Sequence, residues 1–158
     1  MYNIAAALRL GGRLDADALG QALADVVDRH ESLRTLFPAV EGTPRQVVLS
    51  AERADFGWDV VDASAWSASQ LTEAIGAAAR RTFDLDAEIP LRATLFRLTS
   101  DEHVLVVVVH HIAADGWSLR PLAADLSMAY ADRCAGQTPG WARWQCSTSI
   151  TRCGSVRC

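Results

Sequence analysis

The sequence predicts a single α+β domain, built as a two-layer sandwich of helices on a sheet. The chain has 158 residues, half of them hydrophobic, which is enough for one domain with a substantial core. Helix-like and strand-like segments follow one another, but without the strict strand–helix–strand alternation of a parallel sheet. The longest apolar run covers residues 104–109 and is far too short to cross a bilayer. We therefore expect a globular protein that does not span a membrane.

The charge pattern excludes nucleic acid as a partner. All 19 acidic residues precede Gly140, and the net charge is −4, so the body of the chain has no electrostatic footprint for a phosphate backbone. Arginines follow the first apolar stretch instead of preceding it, unlike in a signal peptide. We expect a cytoplasmic protein. The four cysteines lack a Cys-x-x-Cys pair, so we expect no metal site.

The beginning of the chain predicts a strand followed by a helix. Residues 2–10 are mostly small and apolar, as in a strand, and two glycines end the run. A helix opens near Asp15, with Asp17 in its first turn, where a carboxylate interacts favourably with the helix dipole. It should end near residues 31–32. Its apolar face has helical spacing and consists of Leu19, Ala22, Leu23, Val26, Val27 and His30.

Short strands, two helices and a hairpin complete the predicted domain. Ser67 or Ser69 caps a second helix that runs to about residue 81. A turn at residues 101–102 joins two strands into a hairpin, and the β-branched run of the second is typical of a central strand. A third helix runs from Ser118 to about residue 133. The remaining predicted strands, including both of the hairpin, cover residues 33–37, 46–49, 56–61, 91–98 and 103–110.

The strongest indication of chemistry lies where the last predicted strand ends, in the segment VVVHHIAADGWS at residues 107–118. Histidine, with a pKa near 6.5, is the natural general base at neutral pH. If the strand persists, His110 and His111 face opposite sides, so that one packs inward and the other faces a cleft. Asp115 can orient an imidazole or pair with an arginine, and Gly116 permits a tight turn. Taken alone, the two histidines favour a structural interpretation, with His110 in the core and His111 at an exposed strand end.

The complete pattern resembles a known acyltransferase superfamily. His-His-x-x-x-Asp-Gly, here residues 110–116, is the signature of enzymes with the chloramphenicol-acetyltransferase-like fold. The earlier segment RHESLRTLF, residues 29–37, resembles the Arg-His-Glu-x-Leu-Arg-Thr-x-Phe motif of the condensation domains of nonribosomal peptide synthetases. The order of elements fits over residues 1–140. The resemblance implies the N-terminal lobe of such a domain, that is, one lobe of the two-lobed fold.

The resemblance also implies a role for residues of the histidine segment. His111 faces a tunnel between the two lobes and assists the attack of an acceptor amine on a thioester, either as a general base or by positioning the amine. His110 is then structural. Gly116 lies at the backbone beside the tunnel.

Three further residues are implied to hold the loop and its surroundings. Asp115 keeps the loop in place through an ion pair with an arginine, for which Arg29 is the best candidate. Removing one partner of a buried pair costs about 3–5 kcal/mol. Arg29 and Arg34 belong to the earlier motif, and otherwise they would form a solvated helix end. His30 fits the apolar face of its helix and is expected to pack.

The implied reaction forms an amide bond between two substrates carried on peptidyl or aminoacyl carrier proteins. The domain would bind no cofactor, because phosphopantetheine arrives on the carrier protein. The second lobe completes the tunnel, so we expect no turnover from this chain alone. The alternatives are another acyltransferase of the superfamily or an epimerisation-type relative, and a non-catalytic carrier-docking fragment or a pseudogene product.

Both ends of the chain depart from the family pattern. The family's opening segment with a Ser-x-Ala-Gln motif does not precede Tyr2, so we expect an incomplete N-terminus. Residues 144–158 lack the Tyr-x-Asp-(Tyr/Phe)-Ala-x-Trp motif, yet permitted codons for them, read one base early, spell VAVQYVDYALWQREV, which contains it. We expect a frameshift near residues 142–144. The lobe of residues 1–140 would then be followed by an out-of-frame, disordered tail of residues 141–158.

Overall fold

A mixed four-stranded sheet organises the chain in the computed structural model, which describes residues 3–115 and 119–141. The strands are β1 (Asn3–Gly11), β2 (Thr35–Leu36), β3 (Ala39–Val40), β4 (Thr43–Pro44), β5 (Val47–Val48), β6 (Asp59–Asp62), β7 (Leu91–Arg97) and β8 (Glu102–His110). The helices are α1 (Ala16–Arg29), α2 (Ala68–Ala79) and α3 (Leu119–Cys134). The α+β class is confirmed.

The central strand is β8, as its β-branched sequence predicts. The order in the sheet is β1-β8-β7-β6, with β8 antiparallel to both neighbours and β6 parallel to β7. The predicted hairpin is therefore β7–β8. Two small two-stranded sheets, β2–β5 and β3–β4, lie outside this arrangement.

Helices cover both faces of the sheet. Leu105 and Val109 of β8 belong to the larger core, which also contains the apolar face of α1 and part of α3. Val106 and Val108 point to the opposite face and pack against α2. The predicted two-layer sandwich describes the sheet with α1 and α3, and α2 adds a third layer because β8 is apolar on both sides.

Side-chain caps set the starts of the first two helices. The Asp15 carboxylate accepts a hydrogen bond from the Ala18 N–H at 2.9 Å, at the helix start that the sequence predicts. Of the two candidates for the second cap, Ser67 is the one used, in a capping box with Gln70.

The first helix ends earlier than predicted. It stops at Arg29, and His30 leaves the helical conformation at φ −107° and ψ 98°. A short 3-10 helix follows at Glu31–Arg34, where the sequence predicts extended chain from residue 33. Apolar periodicity includes His30, but it does not indicate that the chain turns there.

Two ion pairs show that α1 and α3 run antiparallel. Arg133 near the end of α3 pairs with Asp25, and Asp125 nearer its start pairs with Arg29 at the end of α1. The end of α1, the start of α3 and the histidine end of β8 therefore meet at one end of the sheet. Among the described residues, none of the helices has the length and apolar character needed to cross a membrane.

Candidate functional site

The predicted histidine segment leaves the sheet immediately after β8. The His110 N–H donates a hydrogen bond to the Pro90 carbonyl at 2.9 Å. This is the last hydrogen bond from the end of β8 to the segment that leads into β7. The Ala113 N–H then donates to the His110 carbonyl at 3.0 Å and closes a turn. His111 thus lies in a turn at the end of a rigid central strand, a common position for reactive groups.

His110 is held against the face of the sheet that carries α2. Its Nδ1 accepts a hydrogen bond from the Ile112 N–H at 3.1 Å, so that the neutral imidazole carries its proton on Nε2. The Phe83 ring meets it edge-on, with 6.2 Å between ring centroids. Burial lowers the pKa of His110, and the neighbouring His111 lowers it further. The structural role of His110 stays a prediction that these contacts support.

His111, in contrast, is exposed to solvent. Because β8 ends one residue earlier, the alternation of a strand does not fix its direction, and the turn does so instead. An exposed imidazole next to a rigid strand end is accessible to a substrate from outside the lobe. It can accept a proton or a hydrogen bond from that substrate.

Arg29 lies in a cluster of charged and aromatic side chains between α1 and α3. Its Nε is 3.1 Å from Oδ2 of Asp125, and Nε2 of His30 donates to the same oxygen at 2.7 Å. The guanidinium also lies 4.5 Å from the centroid of the Trp141 ring, a cation–π contact. Trp141, the first residue of the predicted tail, therefore contacts the lobe.

The predicted pair of Arg29 with Asp115 stays a prediction. Asp115 is exposed at the end of the described part of the loop. Gly116, which the resemblance places beside the tunnel, and Ser118, from which the third helix is predicted to run, lie outside the described residues. Arg29 already forms an ion pair with Asp125. In the predicted pair, the Asp115 carboxylate would therefore share the Arg29 guanidinium with the Asp125 carboxylate.

Arg34 connects the 3-10 helix to its surroundings. Its Nη1 donates to the Leu49 carbonyl at 2.5 Å, and its Nε donates to the Asp28 carbonyl at 3.2 Å. Its Nη2 lies 3.7 Å from the exposed Glu31 carboxylate. Because its contacts are mostly with backbone carbonyls, Arg34 holds chain segments together and is not presented to a ligand.

A cavity of about 220 Å³ lies behind the histidine end of the sheet. It is lined by apolar side chains from α1, α3, β1, β7 and β8, among them Val26, Leu91, Val109 and Leu122. Within residues 3–115 and 119–141, no three His, Cys, Asp or Glu side chains are grouped so that they could hold a metal ion. The cavity contributes apolar space next to the site and no additional chemistry.

Sequence reasoning missed Asp125, the partner of His30. The sequence predicts that His30 packs on the apolar face of α1, and in the structure its imidazole also hydrogen-bonds to the Asp125 carboxylate. A signal was available, since Asp125 lies three residues after Leu122 and next to Leu126, on the buried side of α3. An acidic residue there requires a cationic partner.

Comparisons with known proteins agree with the motifs. A family model described as the condensation domain matches residues 1–144. The isonitrile lipopeptide synthase of Mycobacterium tuberculosis is 67% identical over 142 residues, which are 90% of this chain and 6% of that protein. The dimodular nonribosomal peptide synthase of Bacillus subtilis is 49% identical over 141 residues, 89% of this chain and 6% of that protein.

Solved structures share the fold. The X-domain in complex with OxyB from teicoplanin biosynthesis superposes with a TM-score of 0.82 at 41% identity, covering 90% of this chain and 30% of that chain. The starter condensation domain of rhizomide synthetase RzmA has a TM-score of 0.78 at 22% identity, over 89% and 34% of the two chains, which shows the fold alone. The lobe thus has the chloramphenicol-acetyltransferase-like fold, and the chain belongs to the condensation-domain family.

Proposed function

We propose that this chain carries the catalytic histidine of a domain that joins two carrier-bound substrates through an amide bond. The observation that carries the proposal is the exposed His111 at the end of the central strand, inside the His-His-x-x-x-Asp-Gly pattern of a condensation-domain chain. The chain spans about 6% of the curated relatives and about a third of the solved ones. The reaction of a complete domain is therefore part of the proposal.

The reaction balances without a metal or a redox group. The nitrogen of the acceptor amine attacks the carbonyl carbon of the donor thioester, the C–N bond forms and the C–S bond breaks. The leaving thiolate takes up a proton, and the amine loses one. His111 accepts that proton or a hydrogen bond from the amine, a contribution of about 10²–10⁴-fold for a positioned acid–base group.

The proposed partners are peptidyl and aminoacyl carrier proteins in the cytoplasm, together with the second lobe of the domain. Phosphopantetheine would arrive on the carriers, so the lobe itself needs no bound cofactor. The names of the relatives as nonribosomal peptide and lipopeptide synthases support this assignment. The acidic body of the lobe supports a partner that is not a nucleic acid.

The test is an amide-forming assay with the complete domain that contains this chain. One carrier protein is loaded with an aminoacyl thioester as donor, and another as acceptor. We expect mass spectrometry to detect the amide on the acceptor carrier and a free phosphopantetheine thiol on the donor. If the only product is an inverted stereocentre on an intact thioester, the chain belongs to an epimerisation-type domain and the proposal is wrong.

A second candidate is a binding module that recruits partners without catalysis. The solved X-domain, which is 41% identical to this chain, is found in complex with another protein, OxyB. In the same assay this alternative predicts no amide above the level of a protein-free control. Calorimetry should then show saturable binding of the loaded carrier protein.

A further inference from the structure

Asp125 joins the end of α1 to the first half of α3. Its Oδ2 contacts both Nε2 of His30, at 2.7 Å, and Nε of Arg29, at 3.1 Å. The three side chains are only 14–27% exposed. Charge interactions are stronger in such a partly desolvated site than at the surface, and loss of the carboxylate would leave the His30 donor without this acceptor and the Arg29 guanidinium without this counter-charge.

The position of α3 depends on such contacts because few of its apolar side chains are buried. Of its residues only Ala129 is fully buried, while Leu122 and Leu126 are partly buried against the core. A second ion pair holds the far end, where both guanidinium contacts of Arg133 with Asp25 measure 2.7 Å. Each half of α3 is therefore held to α1 by a carboxylate–cation contact.

The two contacts differ in their distance from the His111 turn. The segment that starts at His111 joins α3 at Leu119, six residues before Asp125. Leu119 lines the same apolar cavity as Val26 of α1 and Val109 of β8, so that this end of α3 lies next to the end of the central strand. The Asp25–Arg133 pair lies at the opposite end of the helix.

We propose that Asp125 is a positioning residue for His111. By holding the first half of α3 against Arg29 and His30, it fixes Leu119, where the segment after His111 meets the helix, and thereby the geometry of the turn. The inference rests on the proposed function only in assigning the chemistry to His111. Its test uses no substrate. The positioning role can therefore be refuted while amide formation is confirmed, and amide formation can be refuted while the positioning role is confirmed.

The experiment measures amide hydrogen exchange by NMR in the 158-residue chain. The reporter is the Ala113 N–H, which is bonded to the His110 carbonyl inside the turn. In Asp125→Ala we expect the exchange of this N–H to accelerate about fivefold. This factor corresponds to the largest coupling free energy that is typical of a partly exposed ion pair. The His111 ring signals should shift in the same variant. Asp125→Glu, which keeps the charge, should restore most of the protection.

The matched control is Asp25→Ala, which removes the other contact between the same two helices and the same charge. It should leave the Ala113 exchange rate and the His111 ring signals unchanged, although it also weakens the helix pair. If Asp125→Ala does not fold, Asp125→Asn, which keeps the shape and loses the charge, takes its place. Equal acceleration in the Asp25 and Asp125 variants, or none in either, would show that Asp125 has no positioning role.

Discussion

At the scale of single residues, the two histidines differ, because the side chain of His110 is held by contacts and that of His111 is exposed. His110 is fixed by the Ile112 N–H and the Phe83 ring, whereas His111 faces solvent in the turn. The sequence predicts this division from strand alternation, but β8 ends at His110 and the turn exposes His111 instead. It does not predict the partners of Asp125, because no local pattern indicates which helices pack together.

His110 makes the stability of the chain depend on pH. Burial lowers its pKa below the ordinary value of 6.5, so that the unfolded chain binds a proton more readily than the folded one. The free energy of unfolding should therefore fall as pH drops from 6.5 toward the lowered pKa. Urea unfolding between about pH 7 and pH 5 measures this slope, and His110→Gln should flatten it. An unchanged slope in the variant would contradict the assigned burial of His110.

At the scale of elements, the starts of the first two helices and the β7–β8 hairpin are predictable, whereas the pairing of distant strands is not. The helix start near Asp15 and the choice between Ser67 and Ser69 as a cap depend on neighbouring residues, so local sequence indicates them. The parallel pairing of β6 with β7 joins segments separated by α2, and only the packed core selects it. The first helix ends at Arg29, and His30, outside the helix, hydrogen-bonds to Asp125 of α3.

The cap of α2 offers a matched pair of variants. Ser67 accepts a hydrogen bond from the Gln70 N–H at 3.2 Å, and the Gln70 side chain accepts one from the Ser67 N–H at 2.8 Å. Ser67→Ala should lower the free energy of unfolding by about 1 kcal/mol. Ser69 lies inside the exposed first turn, and Ser69→Ala should be neutral or slightly stabilising, since alanine favours helix. Urea denaturation of both variants distinguishes the two positions.

At the scale of the whole molecule, the chain forms one part of a condensation domain and spans about a third of the solved relatives. The sheet, with helices on both faces, follows from the apolar run of β8, which buries side chains on both sides. The tunnel that the family resemblance implies does not follow from this chain, because about two thirds of the solved relatives lies outside the matched region. The sequence therefore predicts the lobe and its histidine turn more fully than the site in which they act.

The end of the chain yields a prediction about its gene. The family model matches up to residue 144, and synonymous codons that permit a family motif when read one base early can be chosen for the residues that follow. We propose that the reading frame changes near residues 142–144. Sequencing the locus should reveal codons for Tyr-x-Asp-Tyr-Ala in the shifted frame. Codons that give any other sequence there would contradict the frameshift.

The most direct test of the account is the rate of amide formation by the complete domain with and without His111. Single-turnover kinetics with loaded donor and acceptor carriers should show a decrease of about 10²–10⁴-fold for His111→Ala, while Met128→Ala, an exposed change on α3, leaves the rate unchanged. Far-ultraviolet circular dichroism should show that both variants keep the fold. Equal rates for wild type and a folded His111→Ala variant would remove His111 from the mechanism and contradict the central claim.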